Sequence, residues 1–343
     1  MLCDFILIII LFLISLFITI FHYDIYNDYY NKLATKTKKR FMNSSENTIK
    51  IMSFNIRKDY LDSNTTFNWE DRKDKVLTII TDYEPDILGL QEDTDNQREF
   101  FQQSKLLMNY SLIYSTKNNL THFNNAILFK TSKFSLFDQG MYWLSETPEV
   151  YSKSWDGYVR TFTFAFLLNL QSNKPILVIN THLDHKSSLS RIKSAEQIVD
   201  FIKDYTNNYK RITKIECDIF ITGDFNEVPG QPVHQEFKMY GLKDSWEYCV
   251  FDKCCVNKEV FMTFHDNYGN LVNNIMLKPL FYIMFYFHGN AFPSGFRFHI
   301  DWILYSGHNY LPFQTYVINN HDRFGTFSSD HFPIISIFKV TEL

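Results

Sequence analysis

The chain has 343 residues, 45% of them hydrophobic and 17% aromatic, which is enough material for one sizeable core. Only 11 Gly and 9 Pro exclude a collagen-like or low-complexity chain. A formal net charge of -4 supplies no global basic field for a polyanion, so nucleic acid is not the favoured partner and would need a local basic groove.

Residues 5–21 are apolar apart from Ser15 and Thr19, and residues 1–21 read as a single N-terminal transmembrane helix. An uncleaved anchor fits better than a signal peptide, because Asp4 stands where a basic segment belongs and bulky Phe21, His22 and Tyr23 follow. Lys32, Lys36, Lys38, Lys39 and Arg40 favour a cytosolic body, whereas sequons at Asn43, Asn64, Asn109 and Asn119 favour the other side. The side of the membrane is therefore left open. Residues 22–47 are a polar linker, and residues 48–343 form the remaining domain.

Strands are expected at residues 49–55, 86–92, 160–170, 175–183, 219–224, 299–305 and 334–340. A helix is expected over residues 69–83, with Val76, Leu77, Ile80 and Tyr83 on one face and Pro85 stopping it. Ile192, Ala195, Val199 and Ile202 trace a second helical stripe. Locally paired strands mixed with helices suggest a layered α/β sandwich, and no Gly-rich phosphate loop supports a doubly wound sheet. Residues 275–287 are an apolar insertion, read as a buried or surface flap with a lipid-facing loop as the alternative. Cys3, Cys217, Cys249, Cys254 and Cys255 lack zinc-site spacing. They read as unpaired thiols, with one disulfide in the last cluster as the alternative.

The apolar runs end on polar residues: Asn55, Glu92, His182 with Asp184, Asp224 with Asn226, Asp301, and Asp330 with His331. Taken singly, Asp224 reads as a helix N-cap, His182 as a satisfied core histidine and Asp301 as a turn. These costly placements together read as one site, because buried charges and imidazoles need partners.

Met52-Ser53-Phe54-Asn55-Ile56-Arg57, Leu90-Gln91-Glu92, Asn180-Thr181-His182-Leu183-Asp184, Gly223-Asp224-Phe225-Asn226, Ile300-Asp301-Trp302 and Ser329-Asp330-His331 occur in the order seen in the endonuclease/exonuclease/phosphatase superfamily. Residues 48–343 therefore resemble its DNase I-like metallophosphoesterases. Trp143-Leu144-Ser145-Glu146-Thr147-Pro148, Trp155 and Arg160 resemble its uncharacterised small-hydrolase branch.

The resemblance implies a four-layer α/β sandwich, two packed mixed sheets flanked by helices, with the site at their shared edge. It implies Mg²⁺ (or Mn²⁺) held by Glu92, with Asn55 and Asp330 adjacent. His331 oriented by Asp301, or else Asp224, would act as the base. Asn226 and His182 would stabilise the phosphoryl oxygens, and Arg160 would clamp the phosphate. Asp184 and His185 would support the site, and Thr263 and His265 would line it. The chain thus reads as a membrane-anchored, metal-dependent phosphoesterase for a phospholipid or small phosphodiester. A nuclease and a catalytically silent binding module are the alternatives, and no protein partner is implied.

Overall fold

The computed structural model describes residues 47–341 except 63–64, 66, 115–124, 258–259, 261, 268, 270–298, 308 and 320–325. The expected anchor, the linker up to residue 46 and the apolar insertion lie outside the described residues. Among those described, no helix is long and apolar enough to cross a membrane.

In chain order the first half comprises β1 (Thr48–Asn55), α1 (Trp69–Tyr83), β2 (Ile87–Gln91), α2 (Asp95–Gln103), β3 (Tyr110–Ile113), β4 (Ile127–Lys130), β5 (Phe134–Trp143), β6 (Thr161–Asn169) and β7 (Lys174–His182). The second half comprises α3 (Ser188–Thr213), β8 (Asp218–Asp224), α4 (Pro232–Met239), β9 (Lys243–Asp244), α5 (Ser245–Phe251), β10 (Asp301–Tyr305), β11 (Tyr310–Val317) and β12 (Ile334–Val340). They form two six-stranded mixed sheets, β11-β12-β1-β2-β4-β3 and β5-β6-β7-β8-β10-β9.

Strand periodicity explains the layers. Odd positions of β1 (Ile49, Ile51) meet Ile87, Val178, Phe220, Ile303 and Phe338 in a core between the sheets. Even positions Met52 and Phe54 face outward and pack with Val76, Ile80 and Tyr83 of α1. On the other side, Ala195, Ile198, Val199 and Ile202 of α3 cover Phe162, Phe164, Leu177 and Ile179. The order is therefore helices, sheet, sheet, helices.

α1 begins at Asn68, whose side chain accepts the Asp71 N–H at 3.1 Å, and ends at left-handed Glu84. The inter-sheet rows turn polar towards one end. There Gln91 Nε2 donates to Asn180 Oδ1 (2.6 Å), Thr222 Oγ1 donates to the same oxygen (3.0 Å), and Asn180 Nδ2 donates to the carbonyls of Leu90 (2.7 Å) and Ala126 (2.9 Å). Gly89 allows this approach, since a Cβ there would collide with Thr222 and Asn180. The next inward positions along the same rows are Asn55, His182 and Asp224, so the site caps the inter-sheet core.

One expectation is corrected. Cys249 and Cys254 form a disulfide, while Cys217 and Cys255 are not disulfide-bonded. After α5 the chain folds back so that the N–H groups of Cys254 and Cys255 both reach Cys249 O, at 2.9 and 3.1 Å, which brings the two sulfurs together.

Candidate active site

Sheet register assembles three of the expected residues in one row. Asp224 pairs with His182 across the parallel β7–β8 ladder and with Asp301 across the antiparallel β8–β10 ladder. Asn55 pairs with Gln91, which delivers Glu92 one residue beyond. Asp330 and His331 enter just before β12, where Ser329 Oγ donates to Asn55 O at 2.7 Å.

Asp224 Oδ2 is the centre of the cluster. Asn55 Nδ2 donates to it at 3.0 Å, with His182 Nε2 at 3.5 Å and His331 Nε2 at 3.6 Å. Its other oxygen accepts the Asn226 N–H at 3.0 Å. His331 Nδ1 lies 2.9 Å from Asp301 Oδ2, so both ring nitrogens face carboxylates. Burial opposes a charged imidazole, but Asp301 and Asp224 together raise the His331 pKa well above its ordinary value. Burial also pushes the Asp224 carboxyl up, while His331 pulls it down. The two carboxylates thus favour the charged form of the His331 ring. His182 is held well below its ordinary value, chiefly by burial and then by Arg160, and is neutral.

Glu92 Oε2 accepts the Lys58 N–H at 3.2 Å, and Oε1 lies 3.4 Å from Asn55 Nδ2 and 4.0 Å from His182 Nδ1. Arg57 bonds Asp330 Oδ2 on one side and Asp62 on the other. Burial tends to raise Asp330, but His331 and Arg57 keep it below the ordinary carboxylate range. Glu92, Arg57 and Asn226 all have left-handed backbones (φ 64°, 54° and 48°), local strain concentrated at the strand ends that build the site.

Asn226 spends one amide N–H on Leu183 O, at 3.0 Å. Arg160 Nη2 lies 3.1 Å from His185 Nδ1, its Nε is buried without a hydrogen-bond partner, and no carboxylate pairs with it among the described residues. Asp184 sits under this corner, accepting N–H groups from Tyr158 (2.6 Å), Lys186 (2.8 Å) and Ser187 (2.6 Å). Thr263 Oγ1 accepts the N–H groups of Ile300 and Asp301, at 3.0 and 3.1 Å, and so fixes Asp301 from behind. His265 is buried against Phe332 (4.1 Å) and Phe327 (5.0 Å), and burial lowers its pKa to about 3. It braces the Asp330 loop.

Two arginines had no assigned role in the sequence reading. Arg57 was visible only as part of a motif. Arg72 resembles a surface residue of α1, yet its guanidinium is buried and donates to the carbonyls of Ile56 (2.8 Å), Ser328 (2.9 Å), Arg57 (3.1 Å) and Phe67 (2.5 Å). It ties the Asn55–Arg57 segment to the Ser328–His331 segment. The remaining signal was Arg72 three positions after Trp69 on an otherwise apolar helix face.

Four carboxylates therefore converge with Arg57 and His331 as their nearby cationic partners, and Asp301 Oδ1 is buried without a hydrogen-bond partner. Such a hard-oxygen set fits a divalent cation. Asp224, Asp301 and His331 also present ligand-type atoms within 4.8 Å of one another. With Glu92 close by, the arrangement can hold a cation, orient a water and handle its proton.

The sequence pattern described as the Endonuclease/Exonuclease/phosphatase family matches residues 52–331, from β1 to His331. The chain belongs to this family. Members of the endonuclease/exonuclease/phosphatase family are metal-dependent phosphoesterases, and the chain is a hydrolase of phosphoester bonds. An uncharacterised protein of Acanthamoeba polyphaga mimivirus is 23% identical over 310 residues, 85% of this chain and 100% of the relative. The CCR4-Not complex 3'-5'-exoribonuclease subunit Ccr4 of Schizosaccharomyces pombe is 22% identical over 85% of this chain, which spans only 49% of that relative. A mannosyl-6-phosphatase from Bacteroides thetaiotaomicron shares the fold, with a TM-score of 0.66 and 23% identity over 84% of this chain and 99% of the other.

Proposed function

We propose that the chain is a Mg²⁺-dependent phosphoesterase (Mn²⁺ substituting) that hydrolyses a small phosphoester by attack of water on phosphorus. The carrying observation is the His331–Asp301 pair, whose second ring nitrogen, Nε2, sits 3.6 Å from Asp224 beside Glu92. Glu92, Asn55 and Asp330 would hold the cation, which when bound neutralises charge on the phosphoryl and leaving oxygens.

The chain's own residues handle the rest. Asp224, held by the Asn55 side-chain amide and the Asn226 N–H, orients the water and takes its proton as the P–O bond forms. His331 has carboxylates at both ring nitrogens, so it carries a positive charge and donates from Nε2 to a phosphoryl oxygen as negative charge grows there. His182 and the second Asn226 amide N–H are the neutral donors. Arg160, whose buried Nε has no hydrogen-bond partner among the described residues, supplies a fork for the remaining phosphoryl oxygen.

The membrane tether over residues 1–21 and a lipid-borne phosphoester remain part of the proposal on the sequence alone. A nuclease is the second reading, favoured by the exoribonuclease relative. The test is hydrolysis by the full chain, with Mg²⁺ against EDTA, of RNA, plasmid DNA, phosphatidylinositol phosphates, sphingomyelin and small phosphate esters. EDTA-sensitive turnover of small or lipid esters supports the first reading, and turnover of RNA or DNA alone supports the second. Failure on every substrate would sink both and favour the silent module.

A further inference from the structure

Between the first turn of α1, α2 and the loop after β1 lies a cavity of about 420 Å³ that the phosphoryl chemistry leaves unused. That volume is near the lower end of small-ligand sites, with room for one ring-sized group. It adjoins the loop whose backbone holds the cation-side carboxylate. Lys58 N–H bonds Glu92, and the next residue, Asp59, lines the cavity together with Asn96, four residues after Glu92.

The floor is aromatic, with Trp69 and Phe100 meeting edge to face at 5.7 Å. The rim is rich in acceptors. Asn96 Nδ2 donates to Asp59 Oδ2 and Gln103 Nε2 to Glu99 Oε1, both at 2.8 Å. These pairs leave the second carboxylate oxygens and both amide oxygens without a protein donor among the described residues.

Carboxylates over aromatic rings also suit a cationic ligand. Here, however, Lys73 Nζ already lies 5.8 Å over Phe100 and the Arg72 guanidinium 5.6 Å over Trp69. A further cation would meet these two charges on the same rings, whereas a neutral group rich in hydroxyls meets no such repulsion and can donate to the acceptors left open. We infer that this cavity binds the sugar ring of a sugar-linked phosphoester, while the phosphoryl group sits among Glu92, Asp224 and His331. The inference rests on the phosphoesterase reading above and adds the leaving-group class to it. A hexose phosphate and a nucleotide both offer such hydroxyls, so the test separates them.

Glu99→Leu and Gln103→Leu, at exposed α2 positions outside the catalytic set, are assayed with Mg²⁺ on mannose 6-phosphate, adenosine 5'-monophosphate and para-nitrophenyl phosphate. The expected result is a loss of about tenfold in kcat/KM on a sugar-bearing substrate, carried by KM and equal to roughly one charged hydrogen bond, with the aryl ester unchanged. Loss on the hexose ester alone assigns a hexose, loss on the nucleotide alone a ribose, and loss on both a general sugar site. Equal effects on all three esters, or any pattern that spares both sugar substrates, overturn the assignment. If the wild type hydrolyses none of them, saturation-transfer NMR with methyl mannoside and adenosine decides separately. Binding that Glu99→Leu abolishes keeps the cavity while the phosphoesterase reading falls, and absent or unaltered binding removes the cavity.

Discussion

In the proposed reaction Asp224 and His331 divide the work because their surroundings differ: the Asn55 amide and two imidazole nitrogens converge on one Asp224 oxygen, while His331 is clasped by carboxylates at both ring nitrogens. His331→Ala should lower kcat by about 100- to 1,000-fold, the scale of a lost charge-stabilising donor, with little change in folding midpoint. Steady-state kinetics on any accepted ester checks this, and wild-type turnover would remove His331 from the reaction. Asp184 makes a different kind of prediction. Burial would raise its pKa, but N–H groups of Ser187, Tyr158 and Lys186 hold it below the ordinary carboxylate value. A depressed folded pKa contributes stability that is present above the unfolded value of about 3.9 and is lost as pH falls through the folded one. Asp184→Asn should therefore flatten the acid limb of a melting-temperature profile below about pH 4, and an unchanged limb would contradict the assignment. These residues were legible because each ends an apolar run that would otherwise continue. Arg57 and Arg72 were not, since a charged side chain on a loop or helix looks solvent-facing until the carbonyls it meets are known.

At the scale of elements, the site depends on how closely the sheets approach beneath it. Asn180 satisfies Leu90 O, Ala126 O, Gln91 and Thr222 from one buried amide. Asn180→Ala should cost about 2–4 kcal/mol, because it strands several buried polar groups at once. Chemical denaturation measures it, and a loss below about 0.5 kcal/mol, typical of an exposed position, would show that this belt does not hold the sheets together. The helix over Trp69–Tyr83 and the strands bearing site residues were readable from periodicity. β11 was hidden because Pro312 interrupts it, a residue tolerated there because the strand lies at a sheet edge. α2 was hidden because its buried side chains include Gln97 and Arg98 as well as Phe101. Gln97 serves the capping box, and Arg98 Nη1 bonds Asp93 at 2.5 Å.

Across the whole molecule, two sheets bring carboxylates from β2, β8, β10 and the loop before β12 to one edge, and close like charges favour a bound cation. Mg²⁺ should therefore raise the melting temperature of the wild type by mass action, and Glu92→Gln should blunt that rise. A shift equal in both would place the ion elsewhere. The layered fold followed from strand and helix patterns plus family resemblance, whereas the disulfide depended on a local reversal after α5 that spacing did not reveal. The central claim is cation-dependent phosphoester hydrolysis at Asp224. Its most direct test is phosphate release from one accepted ester by wild type and Asp224→Asn, each with saturating Mg²⁺ and with EDTA. The account predicts turnover only for wild type with Mg²⁺, with the variant lower by about 100- to 10,000-fold. Equal rates for the two proteins, or a wild-type rate indifferent to EDTA, would contradict it.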